Sequence, residues 1–130
     1  LGLIELVKRN NAQAITYLKE AQSLEPHQWL PDADNTAFFM EALARAYAQS
    51  GDLENARRWY EEITRLTAGR IRHGDLYAKS FYCLGQIFER QGDKLKAREN
   101  YQKFLLLWKD ADPGLPEVAD AKKQLSAGGT

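Results

Sequence analysis

Two stretches of this chain are copies of one another. Leu43-Ala44-x-x-Tyr47, Gly51-Asp52 and Ala56-x-x-x-Tyr60 recur as Leu84-Gly85-x-x-Phe88, Gly92-Asp93 and Ala97-x-x-x-Tyr101, each pair 41 residues apart. A shorter copy lies upstream, as Leu1-Gly2, Asn10 and Ala14-x-x-x-Leu18, with an offset of 42 at Ala14. A constant period marks supersecondary units that bury their apolar faces only against their neighbours. The chain is therefore built by stacking and not around one central sheet or bundle.

Within each copy the apolar spacing is helical. Met40, Leu43, Ala44 and Tyr47 form a stripe at i, i+3, i+4 and i+7, and Phe81, Leu84, Gly85 and Phe88 repeat it. The partner helices offer Leu53, Ala56, Tyr60 and Ile63, then Leu95, Ala97, Tyr101 and Phe104. Small residues at Ala44 and Ala56, and at Gly85 and Ala97, let two helices approach closely, with an aromatic closing the gap. Gly51 and Gly92 can take the left-handed conformation that ends a helix, and Asp52 and Asp93 can cap the next one. Asn10-Asn11 plays that part in the first unit.

These marks predict helices over 2–9, 11–24, 35–49, 52–67, 75–90, 93–109 and 115–126. Pro26, Pro31, Gly69 and the Arg70–Gly74 stretch punctuate the inter-unit segments. After the break at Asp110–Gly114, Pro116 and Glu117 suit a first helical turn, and Val118, Ala121 and Leu125 give one apolar stripe. Stacked repeats need an atypical last helix to cover their final face, and this segment fits that part. Ser126–Thr130 reads as a frayed tail. The pairs Glu54–Arg58, Arg57–Glu61, Glu61–Arg65 and Glu99–Lys103 sit at helical spacing and mark solvated faces.

The motif order, Leu-Gly-x-x-Tyr, then Ala-x-x-x-aromatic, then Glu25-Pro26 in the first unit, resembles the tetratricopeptide repeat. That family's period is about 34 residues, so this chain inserts roughly seven or eight residues per unit, in Pro26–Asp34 and Gly69–Asp75. The second and third units lack the proline. The resemblance implies an all-α, right-handed α-α superhelix with a C-terminal capping helix. It divides a single domain, 1–130, into a truncated repeat 1–26, repeats 35–68 and 75–109, and a cap at 115–126. The ending Trp108-Lys-Asp-Ala-Asp-Pro, with Leu115-Pro-Glu, is similar to C-terminal regions of bacterial multidomain proteins. Starting at Leu1 inside a repeat, the chain reads as a piece of a larger protein.

Composition excludes several classes. Lys and Arg total 18 and balance 18 Asp and Glu, so no basic footprint for nucleic acid or an anionic membrane exists. The longest apolar run, Phe104–Trp108, is far below the ~18 residues of a spanning helix. A single cysteine, Cys83, rules out an internal disulfide framework and fits a reducing, cytoplasmic compartment. No secretory signal pattern is present.

Catalysis and metal binding find no support. His27 and His73 fall in loops, far apart, without a Cys or Glu at metal spacing, and Cys83 reads as a packed, inert thiol. No phosphate loop, zinc motif or nucleophile elbow occurs. We therefore expect no catalytic residue, cofactor or metal, and a chain that is not an enzyme. Arg70, Arg72, His73 and Lys79 form a small basic cluster, open to an acidic group or simply solvated. Trp29, Trp59 and Trp108 read as packing residues.

In tetratricopeptide-repeat proteins the first helix of each unit lines a concave groove that holds an extended peptide. Carried over, the groove would comprise Phe38, Glu41, Arg45, Ala48 and Gln49 of one unit and Lys79, Tyr82, Gln86, Glu89 and Arg90 of the next. Leu3, Leu6 and Val7 are the upstream equivalents. Tyr and Arg dominate interface energetics, so this mixture suits a peptide-reading face, although plain solvent-exposed helix has the same composition. Glu41 stands where the family's carboxylate clamp wants a base or an amide, which argues against chaperone-tail binding. The expected function is a protein-protein interaction scaffold for a peptide or partner domain. The alternative is self-association, a homo-oligomer formed through the apolar first helix with Leu1, Leu3, Ile4, Leu6 and Val7.

Overall fold

The computed structural model describes residue 2 and residues 10–24, 36–67, 74–109 and 114–127. Among these residues six helices run in order: α1 Asn11–Leu24, α2 Thr36–Ser50, α3 Leu53–Arg65, α4 Gly74–Arg90, α5 Lys94–Leu107 and α6 Pro116–Ala127. Gly2 is also helical. The described residues contain no strand, and the fold is an all-α helical repeat. The expected helix 2–9 lies otherwise outside the described residues, as do Pro26, Pro31 and Gly69. The ends of the six remaining helices agree with expectation to within two residues.

The two-residue corners are the strongest local determinants. Gly51 (φ +86°) and Gly92 (φ +83°) occupy the left-handed region that glycine enters without steric cost. At the first corner Asp52 N–H donates to Tyr47 O at 3.0 Å and Gly51 N–H to Ala48 O at 3.3 Å. At the second, Asp93 N–H reaches Phe88 O at 2.9 Å and Gly92 N–H reaches Glu89 O at 3.0 Å. This double bond is the Schellman arrangement that satisfies orphaned carbonyls at a helix end. Each aspartate then starts the next helix. Asp52 Oδ1 accepts from Asn55 N–H at 3.2 Å, and Asp93 Oδ1 from Lys96 N–H at 3.1 Å.

So α2–α3 and α4–α5 fold back as hairpins. Each helix packs on its neighbours in sequence, α1 on α2, α3 on α4 and α5 on α6, with α2 also touching α4. The core runs unbroken from Ala14 and Leu18 through Leu43, Ala44, Tyr60, Ile63, Leu84, Tyr101 and Phe104 to Val118 and Ala121. One device recurs across it, a small residue placed sixteen positions before a large one. An added Cβ at Gly85 would lie 2.6 Å from the Tyr101 ring, and one at Gly2 would lie 2.8 Å from Leu18 Cγ. Ala44, fully buried, holds the same place before Tyr60.

Two expectations need correction. Leu95 is not on the packing stripe of α5; it is 78% exposed. The period of 41 aligns Leu53 with Lys94, so Leu95 falls one residue out of register and turns outward. The outer ion pairs also shift. Arg57 bonds Glu54 and lies 3.7 Å from Glu61, while Arg65 pairs with Glu62 at 2.5 Å. Spacing of three places these partners on the same turn as well as spacing of four does. Glu54–Arg58 and Glu61–Arg65 are thereby pre-empted.

Candidate functional site

The expected partner-binding residues lie on α2 and α4, but Tyr82 and Glu89 contact Tyr101 of α5, so on α4 the stripe is not free of its own hairpin as expected. On α2, Phe38 is 52% exposed, Arg45 and Gln49 are exposed, and Ala48 is half-buried. Glu41 is half-buried and lies 3.7 Å from Arg45 Nε. Burial raises the Glu41 carboxyl above its ordinary range, against the pull of Arg45 and Lys79. The charges of the two first helices are thus within electrostatic reach of one another.

On α4 the picture differs, because α6 lies alongside. Tyr82 donates its hydroxyl proton to Asp120 Oδ2 at 2.7 Å, and Gln86 Nε2 donates to the Tyr82 oxygen at 2.9 Å. Lys79 Nζ lies 3.8 Å from Glu117 Oε1 and 5.7 Å from the centre of the Trp108 ring. The Tyr82 ring also packs at 5.3 Å from Phe104 and 5.9 Å from Tyr101, and burial raises its phenol above the ordinary value. Arg90 Nη1 donates to Ala48 O at 3.4 Å, tying the end of α4 to the end of α2. Glu89, exposed, accepts from the Tyr101 hydroxyl at 2.9 Å.

Lys79, Tyr82 and Gln86 are therefore joined into one network with α6. Phe38, Arg45 and Gln49 lie on α2 outside it. Sequence reasoning missed Glu117 and Asp120 as members of this face. Their signal was available, since both flank Val118 and Ala121, but nothing local says which neighbour that stripe meets. Leu3, Leu6 and Val7 lie outside the described residues, as do His27, His73, Trp29, Arg70 and Arg72.

Cys83 packs against the core from the same helix. Burial pushes its thiol up to about 11, and the Tyr60 hydroxyl beside it is also raised by burial. At neutral pH that thiol is protonated and a poor nucleophile. Trp108 and Trp59 pack against the core, as expected. Among the described residues no His, Cys, Asp and Glu cluster is placed to hold a metal ion, and no helix is long and apolar enough to cross a membrane.

Residues 39–69 match the family model for the tetratricopeptide repeat. No curated protein matches the chain. The matched stretch covers α3 and most of α2, the hairpin whose Gly51 corner and Asp52 cap recur in α4–α5. On that match, residues 39–69 are similar to a tetratricopeptide repeat, the family whose helical-repeat architecture the six helices share.

Proposed function

We propose that this chain is a non-catalytic protein-protein interaction module, a scaffold that takes a peptide or partner domain on the face shared by α2 and α4. The family is generally one of non-catalytic scaffolds, which supports the coarser half of this reading. The finer half rests on one observation. While Leu43, Ala44 and Ala46 of α2 are wholly buried, Phe38, Arg45 and Gln49 of the same helix stay in solvent. An exposed aromatic, a guanidinium and an amide on one helix supply the apolar anchor and polar contacts that peptide recognition uses.

The network with α6 narrows the surface. Lys79 and Tyr82 are committed to Glu117 and Asp120, so a ligand engages chiefly α2, with Gln86 and Arg90 at the border. We read the whole as one domain with a truncated unit at 1–26, units at 35–68 and 75–109, and a cap at 115–126. The half-buried, protonated Cys83 suits a cytoplasmic setting.

The test is a pull-down from native lysate with the chain as bait and a Phe38→Ala/Arg45→Ala/Gln49→Ala variant as control. These side chains are exposed or border solvent, so the variant keeps the melting temperature of the parent. A protein retained by the parent and lost by the variant supports the reading. If both baits retain the same proteins, the α2 face is idle and the proposal is wrong.

A further inference from the structure

A cleft lies away from the α2–α4 face, between the second helices α1 and α3 and over the end of α2. It measures about 290 Å³ and is lined by Lys19, Tyr47, Asn55, Arg58, Trp59 and Glu62. Lys19 Nζ stands 5.6 Å from the centre of the Tyr47 ring. Asn55 spends its amide on the Asp52 cap at 2.7 Å, and Glu62 spends its carboxylate on Arg65. The acids beside Arg58 on its own helix, Glu54, Glu61 and Glu62, are all paired to Arg57 or Arg65. Arg58 and the Trp59 indole N–H have no ion-pair or hydrogen-bond partner among the described residues. The cleft is thus lined by two cations and by the rings of Tyr47 and Trp59, while its one carboxylate is already engaged.

The repeat shows that the fold does not require this set. One unit on, the positions of Tyr47, Asn55, Arg58, Trp59 and Glu62 are filled by Phe88, Lys96, Glu99, Asn100 and Lys103, and that of Lys19 by Glu61. There the charges are largely inverted and the polar groups are satisfied locally. Asn100 is buried with its amide on Lys96 O at 2.8 Å, and Lys96 lies 3.3 Å from Asp93. Aromatic-to-aromatic exchange at 47 and 88 keeps the packing. The cations and Trp59 are particular to the first interface.

We infer that this cleft binds an acidic side chain of a partner peptide, one bearing an aspartate or glutamate next to an apolar residue. Its volume is at the lower edge of ligand-pocket sizes, enough for one or two side chains. The carboxylate takes the guanidinium of Arg58 and the ammonium of Lys19, with the indole N–H as third donor, and the neighbouring apolar group lies on Tyr47 and Trp59. Ionised partners make the stronger hydrogen bonds, and Arg offers a fork that matches a carboxylate. The site is independent of the α2–α4 face, so either can fail alone.

The probe is acetyl-Phe-Glu-amide, titrated into the 15N-labelled full chain at millimolar concentration and read at the Trp59 indole resonance. That resonance is assigned by its loss in Trp59→Phe. We expect a saturable shift, and binding about tenfold weaker for acetyl-Phe-Gln-amide and for the exposed-residue variant Lys19→Gln/Arg58→Gln. That variant leaves a folded spectrum, so weakening reports the site. A Trp59 resonance that does not move, or that responds equally to the Gln peptide, overturns the inference. Inorganic phosphate displacing the peptide at equal concentration also overturns it, since the cleft would then read bare charge.

Discussion

In hairpin α2–α3 the residue sixteen places before the second helix's tyrosine is Ala44; in α4–α5 it is Gly85, and the two tyrosines take different partners. Tyr101 sits so close that a Cβ at Gly85 would fall within 3.0 Å of three of its ring atoms. Its hydroxyl then reaches Glu89 of its own hairpin at 2.9 Å. In α2–α3 the position of Glu89 is held by Ala48, and the Tyr60 hydroxyl lies instead beside Cys83 of the next unit. One tyrosine closes its hairpin and the other bridges two. The same motif thus serves closure or stacking, depending on one partner at the end of the first helix.

The largest expected effect tests that closure. Gly85→Ala gains about 1 kcal/mol of helix propensity but overpacks a buried ring at a cost of about 1–3 kcal/mol. Tyr101 is 2% exposed and its hydroxyl is anchored, so the ring has little room to yield and the net change is a destabilisation. Ala44→Gly also destabilises, by about 1 kcal/mol, since its neighbour gains nothing from the space. Urea unfolding of both variants decides. If Gly85→Ala raises stability, as propensity alone demands, the close approach described for α4–α5 is absent. A Tyr101→Leu change made in the Gly85→Ala background sharpens the result, because relief there isolates the ring contact.

Those features were largely legible in the sequence because they are local. A glycine forced to positive φ, an aspartate one residue later and a small residue sixteen places before an aromatic all lie within one hairpin. Leu95 was misread for the opposite reason. Its side-chain type suggested burial, whereas the period assigned its neighbour Lys94 to the inward position, and period outweighs type at an exposed helix start. The α6 contacts were not legible. Lys79 and Tyr82 could be placed on a face of α4, but Glu117 and Asp120 meet that face only through the angle at which α6 docks. Arg58 was assigned to Glu54 because spacing of four was favoured, and its lack of a partner appeared only when Arg57 was seen to take that carboxylate.

A smaller effect separates bonds within a hairpin from bonds to the cap. Tyr82→Phe removes the hydroxyl's bonds to Asp120 and from Gln86, and Tyr101→Phe removes one bond to Glu89, each bond worth about 1 kcal/mol. The first severs α4 from Asp120 of α6, whereas the second severs α5 from Glu89 of α4. Hydrogen exchange should therefore quicken across 116–127 in Tyr82→Phe while α4 and α5 keep their protection. In Tyr101→Phe the quickening belongs to α4–α5. Equal acceleration everywhere in both variants would mean that the cap and the hairpin unfold as one unit.

The smallest effect lies at the two corners and divides them by the nature of the cap's second contact. Asp52 is held below the ordinary carboxylate range first by the Asn55 amide and then by the Asn55 backbone N–H. Asp93 is lowered chiefly by the Lys96 backbone N–H, with the Lys96 ammonium 3.3 Å away. A depressed pKa means that the folded state prefers the carboxylate. Both caps therefore add stability above the unfolded value of 3.8 and lose it as pH falls through the lower folded value. Salt distinguishes them. The Asp93–Lys96 attraction is between exposed charges and weakens as the screening length falls from about 10 Å at 0.1 M to about 3 Å at 1 M, whereas a neutral amide bond does not. The shift in urea midpoint caused by Asp93→Asn should shrink more between those salt concentrations than that caused by Asp52→Asn, for which the charge of Lys19 is the weakest of the contributions. A salt response of equal size at both corners would show that the backbone N–H alone sets the cap and that the lysine contributes nothing.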